Sequence, residues 1–182
     1  MDLSQGWNHV EGDEKKKPLN SNVVIGVDPF DHKTVDIVDQ KRMSMGGCYG
    51  FHKYDGLDSE LSETFLFEYL ARPDDPDDFY EDCLMAAYFF GCKVLVENNK
   101  SGFLNYFDRR GYSPWLIRPK GGRKTQRGIS AGVASKEQLA SAFASYIENN
   151  TEKIVFPRLL NDLLDFDIQN STKNDATMAG GW

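Results

Sequence analysis

Three acidic residues, widely separated along the 182-residue chain, have the type and placement to do chemistry. Asp28 ends the apolar run Val23-Val24-Ile25-Gly26-Val27 and precedes Pro29, which cannot continue a central strand ladder. Glu97 ends the run Val94-Leu95-Val96 and is followed by Asn98, Asn99, Lys100, Ser101 and Gly102. Both acids thus fall at the carboxyl ends of buried strands, where ligands and metals collect in open α/β sheets because the helices leave a crevice there. If those strands are parallel neighbours, two carboxylates stand together about 4.8 Å apart, the spacing of paired strands. Like charges so close call for a cation, and hard divalent ions with oxygen ligands are the usual answer. Asp175, at the start of the last helical element, is the best third ligand. With no His or Cys beside them, the three acids suit Mg²⁺ or Mn²⁺ rather than zinc. Two of the acids also have a plainer role open to them: Asp28 as a turn former before proline, Asp175 as a first-turn acid favouring the helix dipole.

The elements that must position these acids can be read along the chain. Asn22 to Val27 is a buried strand. Val35 to Val38 and Cys48 to Tyr54, separated by Gly46-Gly47, read as antiparallel strands, and Thr64 to Leu70 as a further aromatic-rich strand. Asp75-Pro76 opens a helix whose apolar face is Phe79, Cys83, Ala86, Ala87 and Phe90, and Gly91 closes it. The strand Lys93 to Val96 follows, then a short helix from Gly102 to Arg110 stopped by Gly111, then a strand at Trp115-Leu116-Ile117. This alternation implies parallel pairing with right-handed crossovers, so the expected fold is α/β: a mixed sheet, antiparallel first and parallel later, flanked by helices. Ser135 to Gln138 has capping-box spacing before a helix with core positions Leu139, Phe143, Tyr146 and Ile147. Pro157 opens another helix, with Leu159, Leu160, Leu163 and Leu164 expected to face inward. In the last element, Ala176, Ala179 and Gly180 are small enough to bring its backbone close to the sheet.

Residues 1–21 carry a charged Glu11 to Pro18 stretch with no apolar period and read as a disordered linker or tail, leaving 22–182 as one domain. With 40% hydrophobic residues and no apolar run near the ~18 residues of a membrane span, the composition is that of a globular intracellular protein. Three cysteines without a CxxC pair support neither a disulfide framework nor a zinc knuckle, and read as reduced, buried thiols. A net charge of −7 opposes bulk attraction of nucleic acid, but the charge is uneven: eleven acids and one base lie between Asp55 and Asp82, five bases and no acid between Arg118 and Arg127. A polyanion can dock on the second segment, a glycine-rich basic loop.

Taken together, Val24 to Pro29 with a second acid at Asp36, then Val96-Glu97-Asn98-Asn99 with Gly102, then Lys173-Asn174-Asp175-Ala176 with Ala179-Gly180 resemble the nuclease domain of tailed-bacteriophage terminase large subunits, over roughly residues 22–182. The resemblance implies a ribonuclease H-like fold related to Holliday-junction resolvases. It implies an endonuclease that cuts concatemeric double-stranded DNA during viral DNA packaging, using two Mg²⁺ or Mn²⁺ ions. Carried over by position, Asp28 would be the ligand shared by both ions, with Glu97 holding one and Asp175 the other. One ion would activate water and the other stabilise the departing 3′-oxygen. Asp36, Lys100 and Lys173 would be supporting residues, and Arg118, Lys120, Arg123, Lys124 and Arg127 would contact DNA phosphates. Implied partners are the portal and the small terminase subunit, and the implied setting is the host cytoplasm, transiently at the procapsid portal. No GxxxxGK[ST] loop occurs, so ATP hydrolysis is not expected of this chain, and its polar start would be what remains of a linker to an ATPase motor. Asn174 stands where many relatives have a second acid. Alternatives are another ribonuclease H-like nuclease, such as a resolvase or transposase core, or a non-catalytic domain of the same fold docking on DNA or the portal.

Overall fold

Four strands form one sheet: β1 (Val23–Asp28) and β2 (Gly46–His52), buried nearly throughout, β3 (Thr64–Ala71), half-buried, and β4 (Lys93–Val96). The structure is a computed structural model and describes residues 17–30, 44–119 and 126–182. The expected strand at Val35 to Val38, with Asp36, lies outside the described residues, as do Lys120, Arg123 and Lys124. The strand order is β3-β2-β1-β4, with β1 antiparallel to β2, β2 antiparallel to β3, and β1 parallel to β4. Five α-helices accompany it among the described residues: α1 (Pro76–Phe90), α2 (Ser101–Arg109), α3 (Val133–Asn150), α4 (Pro157–Leu164) and α5 (Asp175–Gly181). This is an open mixed α/β sheet. No helix among the described residues is long and apolar enough to cross a membrane.

The period of two along a strand divides the molecule into three layers. Ile25 and Val27 of β1, Cys48 of β2, and Val94 and Val96 of β4 bury against Phe79, Tyr80, Cys83 and Leu84 of α1 and Phe103 and Phe107 of α2. Tyr49 and Phe65 turn to the opposite face and pack on Leu139 and Phe143 of α3, Leu159 of α4, and Ala176, Met178 and Ala179 of α5. Asp28 shares a face with Gly26 and Val24, and Glu97 with Leu95. The pairing of Gly26 with Leu95 and of Val27 with Val96 therefore puts both acids on the second face.

Small residues decide how close α5 can come to that face. A Cβ on Gly26 would run into the Ala179 carbonyl, and one on Gly47 would lie 2.7 Å from both the Ala179 Cβ and the Asp175 carbonyl oxygen. Gly47 is the partner of Asp28 across β1 and β2, so α5 begins directly over the end of β1. Its first turn is tied down from α4: Asp162 accepts from the Thr177 N–H at 2.6 Å, and from the Asn174 side chain at 3.2 Å. The Thr177 N–H is one of the donors that a helix start leaves open, and Asp162 satisfies it.

The turn into β4 follows the signals in the sequence. Asp75 accepts from the Asp77 N–H at 3.0 Å, and Gly91, at φ 61°, returns its N–H to the carbonyls of Ala87 and Tyr88. Asn20 bonds to Gly91 and Phe90 at 2.9 and 3.1 Å, pinning the chain before β1 to the end of α1. The acids of this region are structural: Asp77 pairs with Arg109, Glu81 with Arg110 and the Tyr106 hydroxyl, and Asp82 accepts from Tyr69. The three thiols are free and buried.

Three local expectations are corrected. Ser113–Trp115 is a 3₁₀ turn rather than the start of a strand, because Pro114 favours it, and only Leu116 bridges to Val94. The helix α3 starts at Val133 with Gly132 as its N-cap. Ser135 lies inside the first turn, and its hydroxyl bonds back to Ser130 and Gly132 instead of forming a capping box. In α4 only Leu159 is fully buried, while Leu160 and Leu164 are 40% and 77% exposed, because this short helix packs mainly on α5 and leaves its other side to solvent.

Replacing Gly26 by Ala is expected to cost about 1–3 kcal/mol, the usual penalty of overpacking a filled interface. Urea unfolding would read it against Gly132→Ala, where no atom lies within 4 Å of the added methyl and the loss should be much smaller.

Candidate functional site

The sheet places Asp28 and Glu97 side by side at the carboxyl edge, one residue beyond the last positions at which β1 and β4 pair. The Glu97 N–H donates to the Val27 carbonyl at 3.0 Å. Asp175 stands above them at the start of α5. Asp28 and Glu97 are only 5% and 9% exposed. Burial pushes the Asp28 carboxyl up to about 7; the Lys100 ammonium pulls against that, and Glu97 and Asp175 push it further. Glu97 and Asp175 are thus each within electrostatic reach of Asp28. Asp175 is likewise raised, first by burial and then by Asp162, against the pull of Ser44, Met45 and Lys100.

Every residue of the Glu97 to Lys100 stretch has a task here. Asn99 donates to Glu97 Oε1 at 3.0 Å and accepts from the Ser130 hydroxyl at 3.1 Å, which holds the carboxylate from the side. The Asn98 side chain donates to the Arg127 carbonyl at 3.0 Å. Lys100 points its ammonium at Asp28 Oδ1, 3.3 Å away. On the opposite side, Asp175 accepts from the Ser44 hydroxyl at 2.7 Å and from the Met45 N–H at 2.8 Å. Arg72 in turn bonds the Ser44 carbonyl and lies over the Phe30 ring.

Ser44, Met45 and Asp162 were not singled out from sequence, and Asn99 only as part of the Glu97 motif. The first two carry no motif, and their role follows from where β2 begins. The pair Gly46-Gly47 just after them, which leaves room for Asp175, is the nearest thing to a signal.

The described ends of the basic loop are anchored beside Glu97. Ile117 donates to the Val94 carbonyl at 2.8 Å, Ile129 to that of Val96 at 2.8 Å, and Asn98 to that of Ile129 at 2.8 Å. Gly128, at φ 69°, makes the return possible, since a side chain there would strike the Val96 carbonyl. Arg118 is exposed, and Arg127 bonds the Ser113 and Gln126 carbonyls. On the Asp175 side an open cleft of about 330 Å³ is lined by Met45, Arg158, Asn161, Asp162, Lys173 and Asp175. His52 bonds the Lys53 carbonyl at the end of β2 and has no part in the site.

Oxygen-only donors at a buried sheet edge have the chemistry of a hard-cation site. Among the described residues, however, no three acids, His or Cys are close enough to hold a metal ion in this arrangement. Two donors of the set are instead committed: Asp28 to the Lys100 ammonium, and Asp175 to Ser44 and Met45. Comparison with protein-family models, curated proteins and solved structures gives no match for this chain. What the site can do is judged from its own geometry.

A raised carboxyl means the folded chain keeps a proton that the unfolded chain, with Asp near 3.8, has released. Stability from this group is therefore present below about pH 4 and is lost as pH rises toward 7. Asp28→Asn, which cannot ionise, is expected to be more stable than the wild type by about 2–4 kcal/mol at pH 8 without added metal. The two should converge near pH 4, as read by chemical denaturation across that range.

Proposed function

We propose that this chain is a divalent-metal-dependent endonuclease domain of ribonuclease H-like architecture acting on double-stranded DNA, the activity of the terminase nuclease that its motifs resemble. One observation carries the proposal: Asp28 and Glu97, at adjacent strand ends, and Asp175, at the start of α5, come from elements distant in sequence, yet Glu97 and Asp175 both lie within electrostatic reach of the buried Asp28 carboxyl. The strand order, three antiparallel strands followed by a parallel one, is compatible with it. The position of the basic loop, whose ends flank Glu97, supports it.

Asp28, Glu97 and Asp175 would hold the ions, which when bound would activate water and offset charge on the leaving oxygen. The rest of the chain prepares that site. Asn99 orients Glu97, Ser44 and Met45 orient Asp175, and close packing of α5 on Gly26 and Gly47 keeps Asp175 over the end of β1. Arg118 and Arg127, with Lys120, Arg123 and Lys124, would neutralise phosphates on the Glu97 side, and Lys173 would face the strand on the Asp175 side. The portal and small terminase subunit are the partners this activity would serve.

Purified chain should nick supercoiled plasmid with Mg²⁺ or Mn²⁺ and not with EDTA. Asp28→Asn, Glu97→Gln and Asp175→Asn should each lose at least ~100-fold in rate while remaining folded. A folded wild type inert with both metals would sink the enzymatic proposal, and preference for branched over linear duplex would favour a resolvase. Replacing Arg123, Lys124 and Arg127 together by Ala should weaken DNA binding and reduce the salt slope by about one for each phosphate no longer neutralised. Unchanged affinity would remove the loop from the interface.

A further inference from the structure

Lys100 is a cation that the structure itself supplies to two of the acids, Asp28 and Asp175. Its ammonium lies 3.3 Å from Asp28 Oδ1, and it acts on Asp175 as well as on Asp28. Among the described residues, two other ion pairs join Arg109 to Asp77 and Arg110 to Glu81. The Lys100 side chain is 27% exposed against 6% for Asp28, so the lysine keeps a route to solvent that the carboxylate lacks. The backbone does not need that side chain there: Lys100 is at the N-cap of α2 and makes no side-chain capping bond. A buried carboxylate beside two others is costly without a positive charge, and an ammonium on a flexible stem can serve there and then leave without the helices moving.

We propose that Lys100 is an exchangeable resident counter-ion: its ammonium occupies the cation position of the acids, and a divalent ion enters by displacing it toward solvent. This rests on the metal-binding role proposed above. The arrangement with Lys100 on Asp28 is then the lysine-bound form, and the apparent metal affinity is set by competition between a tethered charge and a free divalent ion.

The test is Mn²⁺ binding to the full chain without DNA, followed by electron paramagnetic resonance of the free ion and by thermal unfolding. Lys100→Met should bind Mn²⁺ about tenfold tighter than the wild type, because the competing state is removed, and Lys100→Arg should stay within about threefold. Without metal at pH 8, K100M should melt below the wild type, and Mn²⁺ should raise its melting temperature more. Should K100M fail to fold, Lys100→Gln serves the same comparison. If the wild type binds Mn²⁺ as tightly as K100M or more tightly, the exchange is overturned and the metal centre stands. Absence of Mn²⁺ binding in both folded proteins, or binding unaffected by Asp28→Asn, overturns the metal centre and the exchange with it.

Discussion

A carboxylate that is almost entirely out of water, with two more carboxylates near it, is the constraint around which this molecule is arranged. Asp28 cannot be left alone in that position: burial, the largest cause, and its acidic neighbours together move its carboxyl to about 7. The Lys100 ammonium relieves part of this at 3.3 Å. A stretch of chain optimised only for stability would place an apolar residue at the end of β1, as it does at Val27 and Val96. Keeping an acid there, at a cost to the fold, is what a site of chemistry looks like energetically.

Holding the third acid over the first two needs an unusually close helix–sheet contact. Gly26 and Gly47 remove the side chains that would separate α5 from β1 and β2, and Ala179 presents only a methyl and a carbonyl to them. With the gap closed, Asp162 reaches across from α4 to the first turn of α5, and Ser44 and Met45 reach Asp175 from the start of β2. Asp175 is thereby positioned by packing and by hydrogen bonds from two directions, which is how a side chain at a helix end can be held as firmly as one on a strand. The opposite face of the sheet does different work: its aromatic and aliphatic core against α1 and α2 fixes the strands so that their ends are aligned.

Several elements were legible in the linear chain for simple reasons. Asp75-Pro76 and Gly91 act on their own neighbours within a turn, so the bounds of α1 were readable, and so were the apolar runs of β1, β3 and β4. Where the reading failed, a local signal was outweighed by surroundings. Trp115 to Ile117 has strand composition, yet Pro114 and the crossing of β4 leave it a turn and a single bridge. Leu160 and Leu164 have helical spacing with Leu159, but whether a stripe is covered depends on how wide a surface the helix meets. Ser135 has the spacing of a cap, but Gly132 reaches the extended conformation that starts α3 earlier.

By itself the sequence determined which residues could carry charge at the ends of apolar strands, Asp28 and Glu97, and which small residues, Ala176, Ala179 and Gly180, could let the last helix approach the sheet. These are properties of single side chains and of their spacing. Tertiary structure alone decided that β1 and β4 are parallel neighbours in register, that Asp175 lies on the same face, that Gly26 and Gly47 are the sheet positions α5 meets, and that Lys100, Asn99, Ser44 and Met45 are the groups that reach the acids. Contacts between positions up to 131 residues apart depend on how whole elements pack, and packing is a sum over the entire core that no short stretch of chain contains.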